Sequence, residues 1–190
     1  MKKPSSSIVV ISGPSGVGKK VVITELLKMD PTSLLSVSAT SRSPRKGEME
    51  GVDYFFLPEI EFKKRIDAGD FLEWALVHGN YYGTLLENFR IAKKQNTHLI
   101  LEIDTQGGSA IKEKFPKECI SIFLLPPNFS ELERRIRMRG TESEEQIAKR
   151  LETAKLELTH AKEYDYRVIN LKPTITAKEI SELIKGSSQQ

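Results

Sequence analysis

The sequence predicts an α/β fold: a three-layer P-loop core around a mainly parallel sheet, interrupted by two insertions. Three observations carry that reading. A short apolar run, Ile8-Val9-Val10-Ile11, leads into Gly13-Pro14-Ser15-Gly16-Val17-Gly18-Lys19, and a helical pattern follows. Strand-like and helix-like segments then alternate, as they do where helices cover a parallel sheet. The alternation breaks twice, over residues 36–93 and over an arginine-dense stretch at 130–155.

Taken in order, Ser7–Ser12 reads as the first strand, and the glycine-rich segment after it has the spacing G-x-x-x-x-G-K of a phosphate-binding loop. Glycine admits positive φ and lets bare backbone approach an anion. Successive N–H groups and the positive end of the next helix then face the phosphate, and Lys19 adds a mobile cation. The motif ordinarily ends in Ser or Thr, whose hydroxyl binds the Mg²⁺ that accompanies the nucleotide. Lys20 holds that slot and Val21 follows it. The helix should run to Met29 and stop at Asp30-Pro31, because proline restricts the residue before it.

Phe71–Val77 is strand-like and precedes a turn signal, His78-Gly79-Asn80. Thr97–Ile103 and Cys119–Leu125 have the unbroken apolar character of buried parallel strands, and Tyr166–Asn170 is a weaker example. Three capping boxes are expected at helix starts, pairing Ser130 with Glu133, Ser143 with Gln146, and Thr176 with Glu179. After Ser143, Ile147, Leu151, Ala154, Leu158 and Ala161 recur at helical spacing and should face the core.

Bulk properties narrow the function. The 190 residues suit one compact domain with small insertions, and a charged fraction of 29% is ordinary for a soluble protein. A net charge of +3 suits a handler of nucleotides but is too small to argue for DNA or RNA. The single Cys119 excludes an internal disulfide. Met1-Lys2-Lys3 resembles a signal n-region, but four apolar residues after it make neither a signal core nor a membrane span. A cytoplasmic protein with no nucleic-acid or membrane partner is expected.

A P-loop core with one base-reading and one arginine-rich insertion is the plan of a nucleoside monophosphate kinase. Longer segments narrow this further. Ser36-Val37-Ser38-Ala39-Thr40-Ser41-Arg42-Ser43-Pro44-Arg45-Lys46-Gly47-Glu48, Phe71-Leu72-Glu73-Trp74-Ala75 and Gly79-Asn80-Tyr81-Tyr82-Gly83-Thr84 resemble signature segments of the guanylate kinase family. Glu102-Ile103-Asp104-Thr105-Gln106-Gly107 is similar to its acidic strand end, and Arg135–Arg150 to its lid. The resemblance runs in order from about Ile8 to Asn170.

It implies a P-loop core of residues 1–35, 94–129 and 156–190, a GMP-binding subdomain at 36–93 and a helical lid at 130–155. It implies transfer of the γ-phosphoryl group of ATP to GMP or dGMP, with Mg²⁺ as cofactor. By the same resemblance, Ser38, Arg42, Arg45, Tyr54 and Tyr82 hold the GMP phosphate, and Glu73 and Thr84 the guanine. Glu102 and Asp104 lie beside the base and metal region, with Asp104 reaching Mg²⁺ through water. ATP takes Gly13, Pro14, Ser15, Gly16, Val17, Gly18, Lys19, Lys20 and Val21. The catalytic cations are Lys19, Arg42, Arg135, Arg139 and Arg150.

The chemistry agrees with such a set. The acceptor phosphate, with a second pKa of about 6, needs no general base. The obstacle is repulsion, about 4 kcal/mol for two unit charges 4 Å apart at an effective dielectric of 20. An arginine-rich, base-poor site is therefore expected. A carboxylate at Glu73 can accept from guanine N1–H and the exocyclic amine together, whereas adenine offers an acceptor at N1.

Read singly, these residues have plainer uses. Arg42 and Arg45 suit a solvated basic loop, Tyr54 and Tyr82 half-buried packing, and Glu73 the solvent face of a strand between Leu72 and Trp74. Asp104 could cap the next helix at Gly107. Glu131–Arg135 and Glu133–Arg137 make simple i,i+4 pairs, and Arg134 and Arg137 should face solvent. His78, His98 and His160 have no metal-ligand spacing, and Cys119 suits packing.

Lys20-Val21 departs from the family pattern, which places hydroxyl or glycine residues there. Three consequences stand open: Mg²⁺ held by phosphates, water and Asp104; Lys20 lending its charge to the β-phosphate; or a lost ATP site. The last would leave a binding module for GMP or an acidic or phosphorylated peptide.

Overall fold

A computed structural model describes residues 7–77, 79–138 and 143–188. The core is a five-stranded sheet in the order β2-β7-β1-β8-β9, every neighbouring pair parallel. Its strands are β1 (Ile8–Ser12), β2 (Leu34–Leu35), β7 (Leu99–Glu102), β8 (Cys119–Leu125) and β9 (Tyr166–Ile169). Helices α1 (Lys19–Met29), α3 (Leu86–Gln95), α4 (Thr105–Lys114), α5 (Phe129–Arg137), α6 (Glu144–Thr159) and α7 (Pro173–Ser188) connect and cover them.

Alternate residues of the central strand enter opposite cores. Val9 and Ile11 pack with α1, α5, α6 and α7 residues such as Leu26, Ile136, Ala154 and Ile180. Ile8 and Val10 pack with Phe89 of α3 and Ile111 of α4. Both faces of β1 are sealed, so it reads as an unbroken apolar run rather than an alternating one.

A second sheet, ordered β4-β3-β6-β5, comprises β3 (Ser38–Thr40), β4 (Phe55–Phe56), β5 (Phe71–Val77) and β6 (Asn80–Leu85). Helix α2 (Glu59–Asp67) covers it. Phe62 of α2 stacks on Phe71 at 4.4 Å and on Tyr81 at 5.4 Å. Strand β5 serves both cores, since Phe71 joins the α2 cluster while Leu72 enters the cluster of the parallel sheet.

Helix starts divide the capping expectations. Ser143 and Gln146 form both bonds of a capping box, at 3.3 and 2.9 Å. Ser130 does not cap. The helix begins two residues earlier than that cap implies, and Asn128 Oδ1 accepts from the Glu131 N–H at 2.8 Å. An Asn side chain holds an N-cap at least as well as Ser. Thr176 is likewise already inside α7, which opens on Pro173, and its hydroxyl lies 3.1 Å from Asn170 Oδ1. Proline suits a first helical position because its missing N–H would have had no partner there. Ile147 and Ala154 are buried as expected, Leu151 and Leu158 pack half-buried against the two cores, and Ala161 is buried too, although it sits in a short 3₁₀ turn, His160–Glu163.

Asn128→Ala should destabilise the fold by about 1 kcal/mol, and Ser130→Ala should stay within about 0.5 kcal/mol of the parent. Denaturant unfolding of the two variants checks this order.

Candidate active site

The P-loop joins β1 to α1 with Gly13, Gly16 and Gly18 all at positive φ. At Gly13 a Cβ would sit 2.6 Å from the Leu124 carbonyl, so only glycine lets the loop leave the sheet this closely. The Val17 carbonyl is pinned from outside. It accepts from Asn170 Nδ2 at 2.7 Å and from Arg135 at 3.2 Å. Arg150 donates to Ser15 Oγ at 2.7 Å. Two of the three expected lid arginines thus already touch the loop. Arg139 lies outside the described residues, as do His78 and the Met1–Lys3 start. Arg134 and Arg137 pair with Glu131, and with Glu133 and Glu144, on the outer surface.

Beside the loop, between the two sheets, opens a cleft of about 640 Å³. This is within the range of small-molecule sites. Its walls include Lys19, Lys20, Ser38, Glu48, Asp53, Tyr54, Glu73, Tyr82, Glu102, Asp104 and Glu157. The Lys19 ammonium donates to the Gly13 carbonyl at 2.6 Å, folded back on its own loop. Val21, by contrast, is exposed and takes no part in the cleft, so the departure from the hydroxyl pattern acts through Lys20.

Glu73 owes its position to a β-bulge. Phe71 pairs with Leu85 and Glu73 with the adjacent Thr84, so Leu72 is an extra residue in β5. In a regular strand Glu73 would share the face of Phe71, on the α2 side. The bulge shifts the phase. Glu73, Ala75 and Val77 then line the cleft, and Trp74 and Leu76 turn outward at 47% and 56% exposure. The solvent-face reading of Glu73 is therefore wrong: the side chain lies in the wall of the cleft and is mostly buried. The fully buried Thr84 hydroxyl donates to Glu73 Oε1 at 2.7 Å. Burial pushes the Glu73 carboxyl above its ordinary range, with the Asp104 charge adding and the Thr84 bond opposing. Gly107 lies against it, since a Cβ there would stand 3.1 Å from Glu73 Oε2.

Arg42 and Arg45, in the loop between β3 and β4, are not part of the cleft wall. Arg42 forms a two-pronged pair with Glu48, at 3.0 and 2.9 Å, and stands behind it. That carboxylate, followed by the Tyr82 phenol, holds the guanidinium above its usual pKa despite burial. Arg42 lies 5.5 Å over the Tyr54 ring, and Tyr54 meets Tyr82 edge-on at 6.0 Å. Among the described residues the Arg42 Nε–H is buried with no hydrogen-bond partner. Arg45 contributes its backbone N–H to Glu48 at 2.7 Å, and its side chain is not part of the cleft wall.

Where an arginine-rich site is expected, the charged side chains that line the cleft are six carboxylates and two lysines among the described residues. Arg42 pairs with Glu48 and Arg135 with Glu131, so these guanidinium groups have carboxylate partners within the protein.

Asp104 caps α4, its Oδ1 accepting from the Gly107 N–H at 2.9 Å, so the capping alternative is realised. Its carboxylate still lines the cleft beside Glu102. Among the described residues no three His, Cys, Asp or Glu side chains converge as a metal cage.

Three cleft or loop residues had no motif to mark them: Asp53, Glu157 and Asn170. Glu157 lies on α6 and accepts from the Ser15 N–H at 3.4 Å; burial pushes its carboxyl up while the Lys19 charge pulls it down. Only a long-range pairing signal would have found them. His98 is held low by burial, and burial pushes the Cys119 thiol to about 12, so neither is poised for chemistry. No helix among the described residues is long and apolar enough to cross a membrane.

A family model described as guanylate kinase matches residues 5–186. A guanylate kinase of Prochlorococcus marinus (strain MIT 9312) is 48% identical over 183 residues, covering 96% of this chain and 99% of the relative. A guanylate kinase of Caldanaerobacter subterraneus subsp. tengcongensis is 48% identical over 168 residues, covering 88% and 81%. The crystal structure of guanylate kinase from Anaplasma phagocytophilum superposes with a TM-score of 0.80 at 32% identity, over 99% of this chain and 89% of that one. None of these lends support to the binding-module alternative.

The Glu73 carboxyl gives the site a pH signature. Its folded pKa lies above the unfolded value, so between the two the folded state binds more protons than the unfolded chain. Stability then falls as pH rises through that window. Wild type should gain stability relative to Glu73→Gln as pH drops from neutral toward the ordinary carboxylate range. Unfolding curves of both proteins at several pH values check it; a constant difference would count against the buried carboxyl.

Proposed function

The chain belongs to the guanylate kinase family, and from that premise we propose how its cleft divides the work of moving the γ-phosphoryl group of ATP onto GMP. Guanine lies at the Glu73 end. The carboxylate accepts from N1–H and the exocyclic amine, and the Thr84 hydroxyl, which donates to Glu73 Oε1, holds it in place beside the base. The GMP phosphate takes Ser38, Tyr54, Tyr82, Arg42 and Arg45. Arg42 reaches the phosphate through its unpaired Nε–H and by exchanging Glu48 for the phosphate, and Arg45 swings in from the loop.

The ATP triphosphate lies on the P-loop backbone, Gly13 to Gly18, with Val21 beyond the cleft at the outer end. Lys19 leaves the Gly13 carbonyl for the phosphates, and Arg135 and Arg150 lie close enough to follow. Arg139 completes the cationic set. Residues 36–93 act as the GMP-binding subdomain and 130–155 as the lid. The protein works in the cytoplasm, without nucleic acid or membrane.

The one observation that carries this division is that a single cleft has Lys19 of the P-loop at one side and the Glu73–Thr84 pair at the other. Catalysis is then positioning and charge neutralisation. Bound phosphates replace internal acceptors as partners of the lysine and arginines, which offsets the repulsion between donor and acceptor. No residue needs to remove a proton from the acceptor.

Mg²⁺ fits this donor set as a companion of ATP rather than a resident ion. Lys20 supplies no oxygen where a hydroxyl ligand would stand, and Asp104, with Glu102 beside it, is the carboxylate that would meet a metal-bound water. When bound, the ion would neutralise charge between the outer phosphates.

ADP formation measured with Mg-ATP should be fast with GMP and at background with AMP. Glu73→Gln should lower the GMP-over-AMP preference in kcat/KM by about 100-fold, since a site that pairs with donors rejects a base lacking them. Equal turnover of GMP and AMP by the wild type would overturn the guanine assignment.

A further inference from the structure

Lys20 replaces the usual hydroxyl of the P-loop, and its side chain has a partner on the far side of the cleft. Its ammonium lies 3.0 Å from Asp53 Oδ1, 33 positions away in the loop between β3 and β4. One end of this contact belongs to the helix that follows the P-loop. The other belongs to the smaller sheet.

The Asp53 loop is a compact unit. Asp53 Oδ2 accepts from the Met49 N–H at 3.0 Å, the Asp53 N–H donates to the Met49 carbonyl at 3.0 Å, and the Gly51 N–H donates to the Tyr54 carbonyl at 2.9 Å. Tyr54, the next residue, packs edge-on against Tyr82 and beneath the Arg42 guanidinium. A displacement of Asp53 therefore carries Tyr54 with it, and Tyr54 is a wall of the Arg42–Tyr82 cluster. A cation in the first turn of a helix opposes the helix dipole unless an anion stands near it. Asp53 is that anion, and its bond and charge raise the Lys20 pKa.

We propose that Lys20 and Asp53 tie helix α1 to loop 49–54 across the cleft, so that Lys20 acts as a positioning residue for GMP. The proposal rests on the reading that Tyr54, Tyr82 and Arg42 receive the GMP phosphate. The tie acts by preorganisation: a loop already held in place loses less freedom when the acceptor binds. Asp53 neutralises the ammonium, so Lys20 serves the acceptor side rather than standing in for the metal. The Lys20 side chain is 79% exposed and that of Asp53 20%, so the effect is modest and screened by salt.

Calorimetric titration of GMP, without ATP or metal, tests this on wild type, Lys20→Thr, Asp53→Asn and the double variant. Each single substitution should weaken GMP binding about two- to fivefold at low salt, the range of an exposed ion pair. The double variant should bind no worse than either single one. Lys20→Arg should restore affinity, and 1 M salt, with a Debye length of about 3 Å, should close the gap. Single variants with wild-type affinity, losses that multiply in the double variant, or a gap that persists in salt would overturn the tie. Absence of GMP binding by the wild type would instead remove the GMP site on which the tie rests.

Discussion

The Val17 carbonyl is the joint on which the arrangement depends. A phosphate loop must turn its N–H groups toward the ligand, which leaves carbonyls pointing outward into the protein, where each needs a donor. Val17 receives two, from Asn170 at the end of β9 and from Arg135 on α5. Asn170 is fixed in turn by the Thr176 hydroxyl of α7. One backbone oxygen thus couples the loop to a strand end and two helices, and the loop can keep its three positive-φ glycines without collapsing onto the sheet. The close approach of the Asn170 amide, 2.8 Å from where a Gly18 Cβ would stand, shows how little room remains.

On this frame the charges are arranged for exchange. Lys19 is held by a carbonyl of its own loop, Arg42 by Glu48, and Arg135 by Glu131 and Val17. Internal acceptors keep these buried or half-buried cations satisfied, because a cation without a partner there would be costly. In the proposed cycle, nucleotide binding is a change of partners, and the carboxylates lining the cleft are the counterpart of that arrangement. Glu73 differs from the rest. In the proposed cycle its acceptor oxygens would meet the donors of guanine, and the cost of burying it would be the source of discrimination.

Features with local causes were legible in the sequence. The P-loop, the sealed run Ile8–Ile11, the stop at Asp30-Pro31 and the Ser143–Gln146 box each depend on residues a few positions apart. Ser130 and Thr176 misled because a capping box is a short pattern, and Asn128 and Pro173 were better starts for those helices. The phase of β5 was illegible for a different reason: a bulge at Leu72 answers to packing on two cores at once, with Phe71 bound for one and Leu72 for the other. Asp53, Glu157 and Asn170 are ordinary polar residues until the fold brings Lys20, Ser15 and Val17 to them. The resemblance supplied the candidate residues; the pairing of Arg42 with Glu48 belongs to the structure alone.

In the proposed function one cleft holds both nucleotides, with their phosphates meeting between Lys19 and Tyr82. A bisubstrate analogue, adenosine and guanosine joined through a polyphosphate chain, tests it most directly by calorimetry and competition. One analogue should bind per chain, displaced by ATP and by GMP alike. An analogue displaced by only one of them, or bound in two copies, would contradict a shared cleft.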